Sequence, residues 1–320
     1  MIGKPAPTDP LVSTIVPVYK GIQTISATVD SLLAQTYERH EVILVDDGSP
    51  DDSFAVVQDL ARENDAVIAV RKRNGGVGDA RNFGVKHANG GLIAFCDQDD
   101  LWEPDKLELQ VPLFNDRKVG LVFSGVKTVY PEREVVGLPR KARPTLEDLL
   151  EQNRISCCTA VVRRKLFDEV GGFSPERTMA GVDDWHLWVR ILQHSKSNSV
   201  PKALATHIIH GENYSLNESA MLEAAIFCLS KLAESRQKPA IKSSLLRHAR
   251  RRVYEHYAQN LLHNGDFSAA ADCHFKAWQQ NPVLLSHLGK GTLLRVLPGS
   301  ILDSIQRQKR SLASRSAAGE

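Results

Sequence analysis

The sequence predicts an α/β fold: a mostly parallel sheet with helices on both faces, followed by an α-helical C-terminal region. Three observations carry that prediction. Strand-like and helix-like stretches alternate over residues 11–130, joined by short Gly/Asp/Asn connections. Acids stand directly after two of the apolar runs, Asp46 and Asp47 after one, Asp97, Asp99 and Asp100 after another. Strand signals cease after Asn217.

The elements follow in order. LVSTIVPV (residues 11–18) is a short β-rich run, and Val29, Leu32 and Leu33 then fall on a helical stripe. EVILVDD ends a second strand in acids. Phe54, Val57 and Leu60 put a helix between Asp51 and Asn64, with Ser49 and Asp51 as its capping residues. AVIAV, a helix from Gly78 to Ala88, and LIAFC complete the alternation. Ligands of such sheets bind beyond the carboxyl ends of the strands, where these acids stand. Residues 1–215 are therefore expected to form the α/β domain and residues 216–320 the helical region. Within the latter, Tyr254, Ala258, Leu261, Gly265, Ala270, Ala277 and Pro282 match the spacing of one tetratricopeptide-like hairpin, about 254–282. The tail places Ile301, Ile305 and Leu312 on one face, and side-chain charge from Lys290 onward is +4.

Bulk properties narrow the function. With 320 residues, 42% hydrophobic and 24% charged, the chain has room for a sizeable core. A net charge of +2 argues against a nucleic-acid binder. Five cysteines without CxxC or Cys/His zinc spacing suit a reduced, cytoplasmic chain. The opening MIGKPAPTDP lacks the features of a secretory signal, and no apolar run approaches the ~20 residues of a membrane span.

The chemistry centres on DQDD, Asp97–Asp100. Three carboxylates within four residues repel one another, by about 4 kcal/mol per pair at ~4 Å and an effective dielectric near 20. A divalent cation relieves that conflict, and Mg²⁺ characteristically takes one or two carboxylates plus substrate phosphates. A solvated acidic turn capping a helix near Pro104 is the plainer alternative, outweighed by the second acidic cluster, DDGS at Asp46–Ser49. An acid there can accept from a base N–H or a ribose hydroxyl. The GGVG at Gly75–Gly78 lacks the Lys-Ser/Thr of a Walker loop. Trp185 and Trp188 share a helix with Leu187 and Ile191 and are first of all core residues, with a sugar platform as the alternative.

STIVPVYK, SLLAQTY, HEVILVDDGSPDDS, GGVGDARNFGVKHANGGLIAFCDQDDLWEPDKL, VGGF, DDWHLW and HGENYS occur in that order over about residues 11–215. Together they resemble glycosyltransferase family 2, of GT-A fold. The resemblance implies an inverting, metal-dependent, non-processive transfer from a nucleoside-diphosphate sugar to a glycan or lipid-linked acceptor, in glycan or cell-envelope polysaccharide synthesis. Mn²⁺ or Mg²⁺ is the implied cofactor, and UDP-sugars are the commonest donors of the family. By position, Pro17, Tyr19, Asp47, Arg81, Asn82 and Asp97 would bind the nucleotide-sugar. Asp99, Asp97 and His210 would hold the metal. Asp184 takes the place of the catalytic base, with Asp183 standing where the family has Glu. A lipid-linked acceptor would bring the enzyme to the cytosolic face of a membrane, which the basic tail suits as a peripheral contact.

Two rival readings remain. A dinucleotide-dependent oxidoreductase would need GxGxxG at the first turn, where PVYKG stands. A catalytically inactive interaction protein using its helical region would have no need of Asp47, Asp97, Asp99 and Asp184 together.

Overall fold

A computed structural model describes residues 9–210, 217–235, 237, 239–282 and 285–296. The tail at Ile301, Ile305 and Leu312 lies outside these residues. The fold opens with β1 (Val12–Val18), α1 (Ile25–Leu33), β2 (His40–Asp46), α2 (Ser53–Glu63), β3 (Val67–Arg71), α3 (Val77–His87) and β4 (Leu92–Phe95). These four strands lie parallel in the order β3-β2-β1-β4. Alternation along β1 builds the two faces. Val12, Val16 and Val18 pack with Ile25, Val29 and Leu32 of α1, while α3 covers the opposite face. There a Cβ on Gly84 would stand 2.5 Å from Ile15 and 2.8 Å from Val45, so α3 seats its backbone directly on β1 and β2.

The sheet then turns mixed. The remaining elements of this half are β5 (Leu101–Trp102), α4 (Lys106–Gln110), β6 (Val119–Tyr130), β7 (Arg133–Gly137), α5 (Leu146–Glu151), β8 (Val161–Arg163), α6 (Arg164–Val170), α7 (Asp183–Leu192) and β9 (Lys196–Ile208). The full order is β3-β2-β1-β4-β8-β6-β9-β5, with β7 on β6. β8 is antiparallel to β4 and β6, β7 to β6, and β5 to β9, while β9 runs parallel to β6. Parallel pairing thus dominates only the nucleotide-binding type of βαβ half.

The helix expected near Pro104 is α4, which begins at Lys106. One local expectation changes. Ser49 does not cap α2; its hydroxyl accepts from Lys20 N at 3.1 Å, while Asp51 accepts from Ser53 at the helix start. Trp185 and Trp188 are core residues, their ring N–H groups donating to the Leu149 and Ile155 carbonyls.

The described residues fall into two compact units, one holding the sheet and the other holding α8 (Glu218–Glu234), α9 (Ser243–His263), α10 (Phe267–Gln280) and α11 (Leu285–Val296). In the helical unit, α9 and α10 pack through Ala258, Leu261, Ala270 and Cys273. Their joint has Gly265 at φ 85°, and Asp266 caps α10 by accepting from Ala269 N at 3.0 Å.

Lys106 is a charged residue inside the core. It is fully buried, its ammonium 3.8 Å from the Trp102 ring centroid and 2.7 Å from Gln110 Oε1. Burial pulls its pKa down to about 7. Between that value and the ordinary lysine range near ~10.4 the unfolded chain binds the extra proton, so this group makes stability rise with pH across that window. Lys106→Met is therefore expected to raise stability at pH 7 by roughly 1–4 kcal/mol and to flatten that rise. Denaturant titrations at pH 7 and pH 9.5 measure it; a variant less stable at both would show that the Lys106–Gln110 bond outweighs the cost of burial.

Candidate active site

Because β2, β1 and β4 are adjacent and parallel, the loops after Asp46, Val18 and Phe95 open on one edge of the sheet. The chain winds outward from β1 through β2 to β3 and then crosses back to β4 on the other side of β1, which makes this edge the switch point where such sheets bind ligands. Asp47, Tyr19 and the acidic turn 97–100 all arise there.

Asp47 is buried, and its carboxylate gathers the loop after β3. Oδ1 accepts from Lys72 Nζ at 2.9 Å and Gly75 N at 3.0 Å, and Oδ2 accepts from Gly76 N at 2.8 Å. Asn74 Nδ2 donates to the Asp47 carbonyl, and Gly48, at φ 72°, lies so close to this loop that an added Cβ would stand 2.9 Å from Asn74 N. A carboxylate has about four lone-pair sites, so Oδ2 keeps acceptor capacity for a base N–H. Pro17 is a buried β1 residue opposite Val45; its place is in the sheet. Tyr19 is 44% exposed. Gln98 ties it to the acidic turn, accepting from Tyr19 N at 2.9 Å and donating to Tyr19 O at 3.1 Å.

Arg81, on α3, joins the acidic turn to α7. Nη2 donates to Asp97 Oδ1 at 2.6 Å and Nη1 to Asp183 Oδ2 at 2.8 Å, with the guanidinium 5.1 Å from the Phe173 ring centroid. The residue is buried with both terminal nitrogens on carboxylates. In this structure it holds two carboxylates of the site. Asn82 likewise serves the fold, since Nδ2 donates to Phe173 O at 2.9 Å and Oδ1 accepts from Phe173 N at 2.8 Å. It secures the turn in which Gly171 and Gly172 have φ 86° and 68°.

Asp183 and Asp184 begin α7 with different surroundings. Asp183 is buried against Arg81, and burial still leaves its pKa raised. For Asp184, burial and then the neighbouring Asp183 charge push the pKa up to about 7. Asn153 Nδ2 lies 3.3 Å from Asp184 Oδ1. Consecutive carboxylates with different partners are a recurrent way to separate a structural acid from a proton acceptor.

The rest of the acidic turn meets histidines from the end of β9. His210 Nε2 is 2.7 Å from Asp99 Oδ2, and His207 Nδ1 is 2.9 Å from Asp100 Oδ1. The Asp100 bond holds the His207 pKa above the ordinary imidazole value. Among the described residues no group of three His, Cys, Asp or Glu side chains converges as a metal cluster. Asp99 and His210 nonetheless offer one hard oxygen and one nitrogen, with Asp97 two residues away. That donor set fits a cation whose remaining ligands are diphosphate oxygens and water. Lys72, Asn153 and His207 escape a reading of the sequence, because their partners are 25, 31 and 107 residues away.

Comparison with known proteins agrees with this geometry. The profile of Glycosyl transferase family 2 matches residues 13–171. An uncharacterized glycosyltransferase of Rickettsia felis is 33% identical over 194 residues, 58% of this chain and 32% of that protein. The chain thus spans about a third of that relative's length. The Escherichia coli UDP-Glc:alpha-D-GlcNAc-diphosphoundecaprenol beta-1,3-glucosyltransferase WfgD is 29% identical over 60% of this chain and 74% of its own. Among solved structures, residues 1–349 of S. aureus TarS in complex with UDP-GlcNAc superpose with a TM-score of 0.67 at 18% identity, covering 96% of this chain and 92% of that one. The Pyrobaculum calidifontis mannosyltransferase PcManGT, in complex with GDP-Man and Mn²⁺, gives 0.63 at 21% identity, covering 93% and 84%. Residues 13–171 are a glycosyltransferase family 2 domain, and the fold is GT-A.

Proposed function

We propose that the chain transfers one sugar from a nucleoside-diphosphate sugar to an acceptor hydroxyl, inverting the anomeric carbon. The observation that carries this reading is the Asp97–Arg81–Asp183 bridge, which ties the acidic turn to the start of α7, where Asp184 would accept the proton. In the transfer the acceptor oxygen bonds to the anomeric carbon, the bond to the diphosphate oxygen breaks, and the acceptor proton passes to Asp184. Tyr19 and Asp47 face the nucleobase and ribose. Asp99 and His210, with Asp97 behind them, would hold a Mn²⁺ or Mg²⁺, which supplies charge stabilisation for the departing diphosphate. One base and one cation suffice for a single displacement without a covalent sugar–protein intermediate.

The names of the relatives support the substrate classes. WfgD, by its name, glucosylates a diphosphoundecaprenol-linked sugar, and the solved neighbours hold UDP-GlcNAc or GDP-Man with Mn²⁺. A lipid-linked glycan of the cell envelope is the acceptor class we favour. No helix of the described residues is long and apolar enough to cross a membrane, so such an acceptor would be met at a membrane surface. The basic tail beyond Pro298 is the proposed contact; each basic residue near anionic lipid is worth about 1 kcal/mol.

The base makes a signed prediction. With its pKa at about 7, Asp184 is protonated below that pH and cannot accept the proton. The kcat/KM should fall about tenfold per pH unit below 7 and level off above it. Asp184→Asn should lower turnover roughly 10²–10⁴-fold with nucleotide affinity nearly intact; collapse of donor binding would instead move the base to Asp183. For the cation, EDTA or Asp99→Asn should abolish transfer and the metal dependence of nucleotide binding by calorimetry, and undiminished turnover in EDTA overturns the assignment. For the tail, truncation after Pro298 should reduce sedimentation with anionic liposomes at low salt, whereas equal partitioning of both chains removes it as the membrane contact.

A further inference from the structure

His207 belongs to no part of the transfer chemistry above, yet it sits at the junction of the site's two halves. β5 is only two residues long, and its pairing with β9 matches Leu101 with Thr206 and Trp102 with Ala205. The next step along this antiparallel register brings Asp100 opposite His207. There Asp100, 1% exposed, accepts from His207 Nδ1 at 2.9 Å. Asp100 N also closes the acidic turn on Asp97 O at 3.2 Å, so its carboxylate and amide hold the same turn from two sides. One residue back, Asp99 meets His210, three residues beyond His207 on the same chain. The backbone between the histidines is anchored as well, Ile209 N donating to Val129 O at 2.9 Å.

We propose that His207 is a positioning residue. Through Asp100 it locks the acidic turn 97–100 to the end of β9, and so keeps Asp99 and His210 close enough to share one cation on a nucleoside diphosphate. The inference rests on the reading that this pair holds the metal. Its physical basis is the separation between the two sets of groups. Asp99 and Asp100 are adjacent but engage different partners, Asp99 partly exposed with a side chain at 16% and Asp100 inside at 1%. A bond made by the buried acid therefore fixes its neighbour without occupying the neighbour's lone pairs. Partners behind a metal ligand typically change metal affinity 10–100-fold when lost.

The test compares two substitutions. In His207→Asn the side-chain amide nitrogen stands the same number of bonds from Cβ as imidazole Nδ1, so the donor to Asp100 is retained. In His207→Leu it is removed. Calorimetry of UDP, and of GDP, with and without Mn²⁺ should show the Mn²⁺-dependent gain in nucleotide affinity reduced 10- to 100-fold in His207→Leu. Metal-free nucleotide affinity should be unchanged, and His207→Asn should stay near wild type. Excess Mn²⁺ should restore the turnover of His207→Leu, which a general loss of structure would not allow. Should His207→Leu fail to fold because Asp100 is left buried and unpaired, the double variant Asp100→Leu/His207→Leu removes both partners and should show the same loss. Wild-type metal dependence in the folded Leu variant, or equal loss in Leu and Asn, overturns the positioning role. Asp99→Asn is measured alongside; if it keeps the full Mn²⁺ effect, the metal reading itself is wrong and the inference falls with it.

Discussion

The site depends first on one buried cation. Arg81 brings a guanidinium to two carboxylates that come from different parts of the chain, Asp97 after β4 and Asp183 at the start of α7. Each of those acids would otherwise be held near a second negative charge in a partly dehydrated setting. Removing one partner from such a set typically costs several kcal/mol, because the remaining charge stays buried without compensation. The planar fork of arginine also fixes direction, which a lysine point charge does not. Arg81 therefore sets the relative placement of α3, the acidic turn and α7. The aromatic cluster of Phe95, Phe167, Phe173 and Trp188 packs behind it and gives that placement a rigid floor.

Crowding of carboxylates after β4 is resolved residue by residue. Asp97 faces Arg81, Asp99 faces His210, and Asp100 faces His207. The repulsion that in the sequence points to a divalent cation is thus already relieved in part by the protein's own donors. A cation would find the accessible share of the turn at Asp97 and Asp99, whose side chains are 33% and 16% exposed. The same principle orders the neighbouring loop, where Lys72 lies between Asp47 and Asp79. A preorganised set of this kind accepts a ligand with little further rearrangement of its charges.

Much of the first half of the fold is legible in the sequence, because β1 to β4 are short apolar runs separated by helical stripes and their acids fall just past the strand ends. Parallel strands buried on both faces produce that pattern directly. The second half is less readable. β9 carries Pro201, two lysines and three exposed positions among its 13 residues, so it shows neither an apolar run nor clean alternation. β6 fades from a buried start to a half-exposed end where it meets β7. The acids of the candidate site stand out in the sequence as a group, but their partners do not. Arg81 and Asp183 are 102 residues apart, and Asp100 and His207 are 107 apart. Periodicity reports which face of an element is buried; it carries no signal for which distant side chain waits there.

Asp183 shows what such a partner decides. The family pattern has a longer Glu at this position, whose extra methylene would let the carboxylate reach further into the site. The shorter side chain ends at Arg81, 2.8 Å from Nη1. What it retains is charge. After burial, the negative charge of Asp183 is the largest influence raising Asp184 to about 7, while Arg81 opposes that rise from the far side. Two consecutive acids of one helix start thereby acquire different roles without any difference in side-chain type. Asp183 touches Arg81, which opposes the rise that burial gives its pKa; Asp184 is pushed up to about 7 by burial first and by its neighbour's charge second. Arg81 thus bonds Asp97 and Asp183 directly and, against burial, lowers the pKa of Asp184 by its charge, so one guanidinium acts on all three acids.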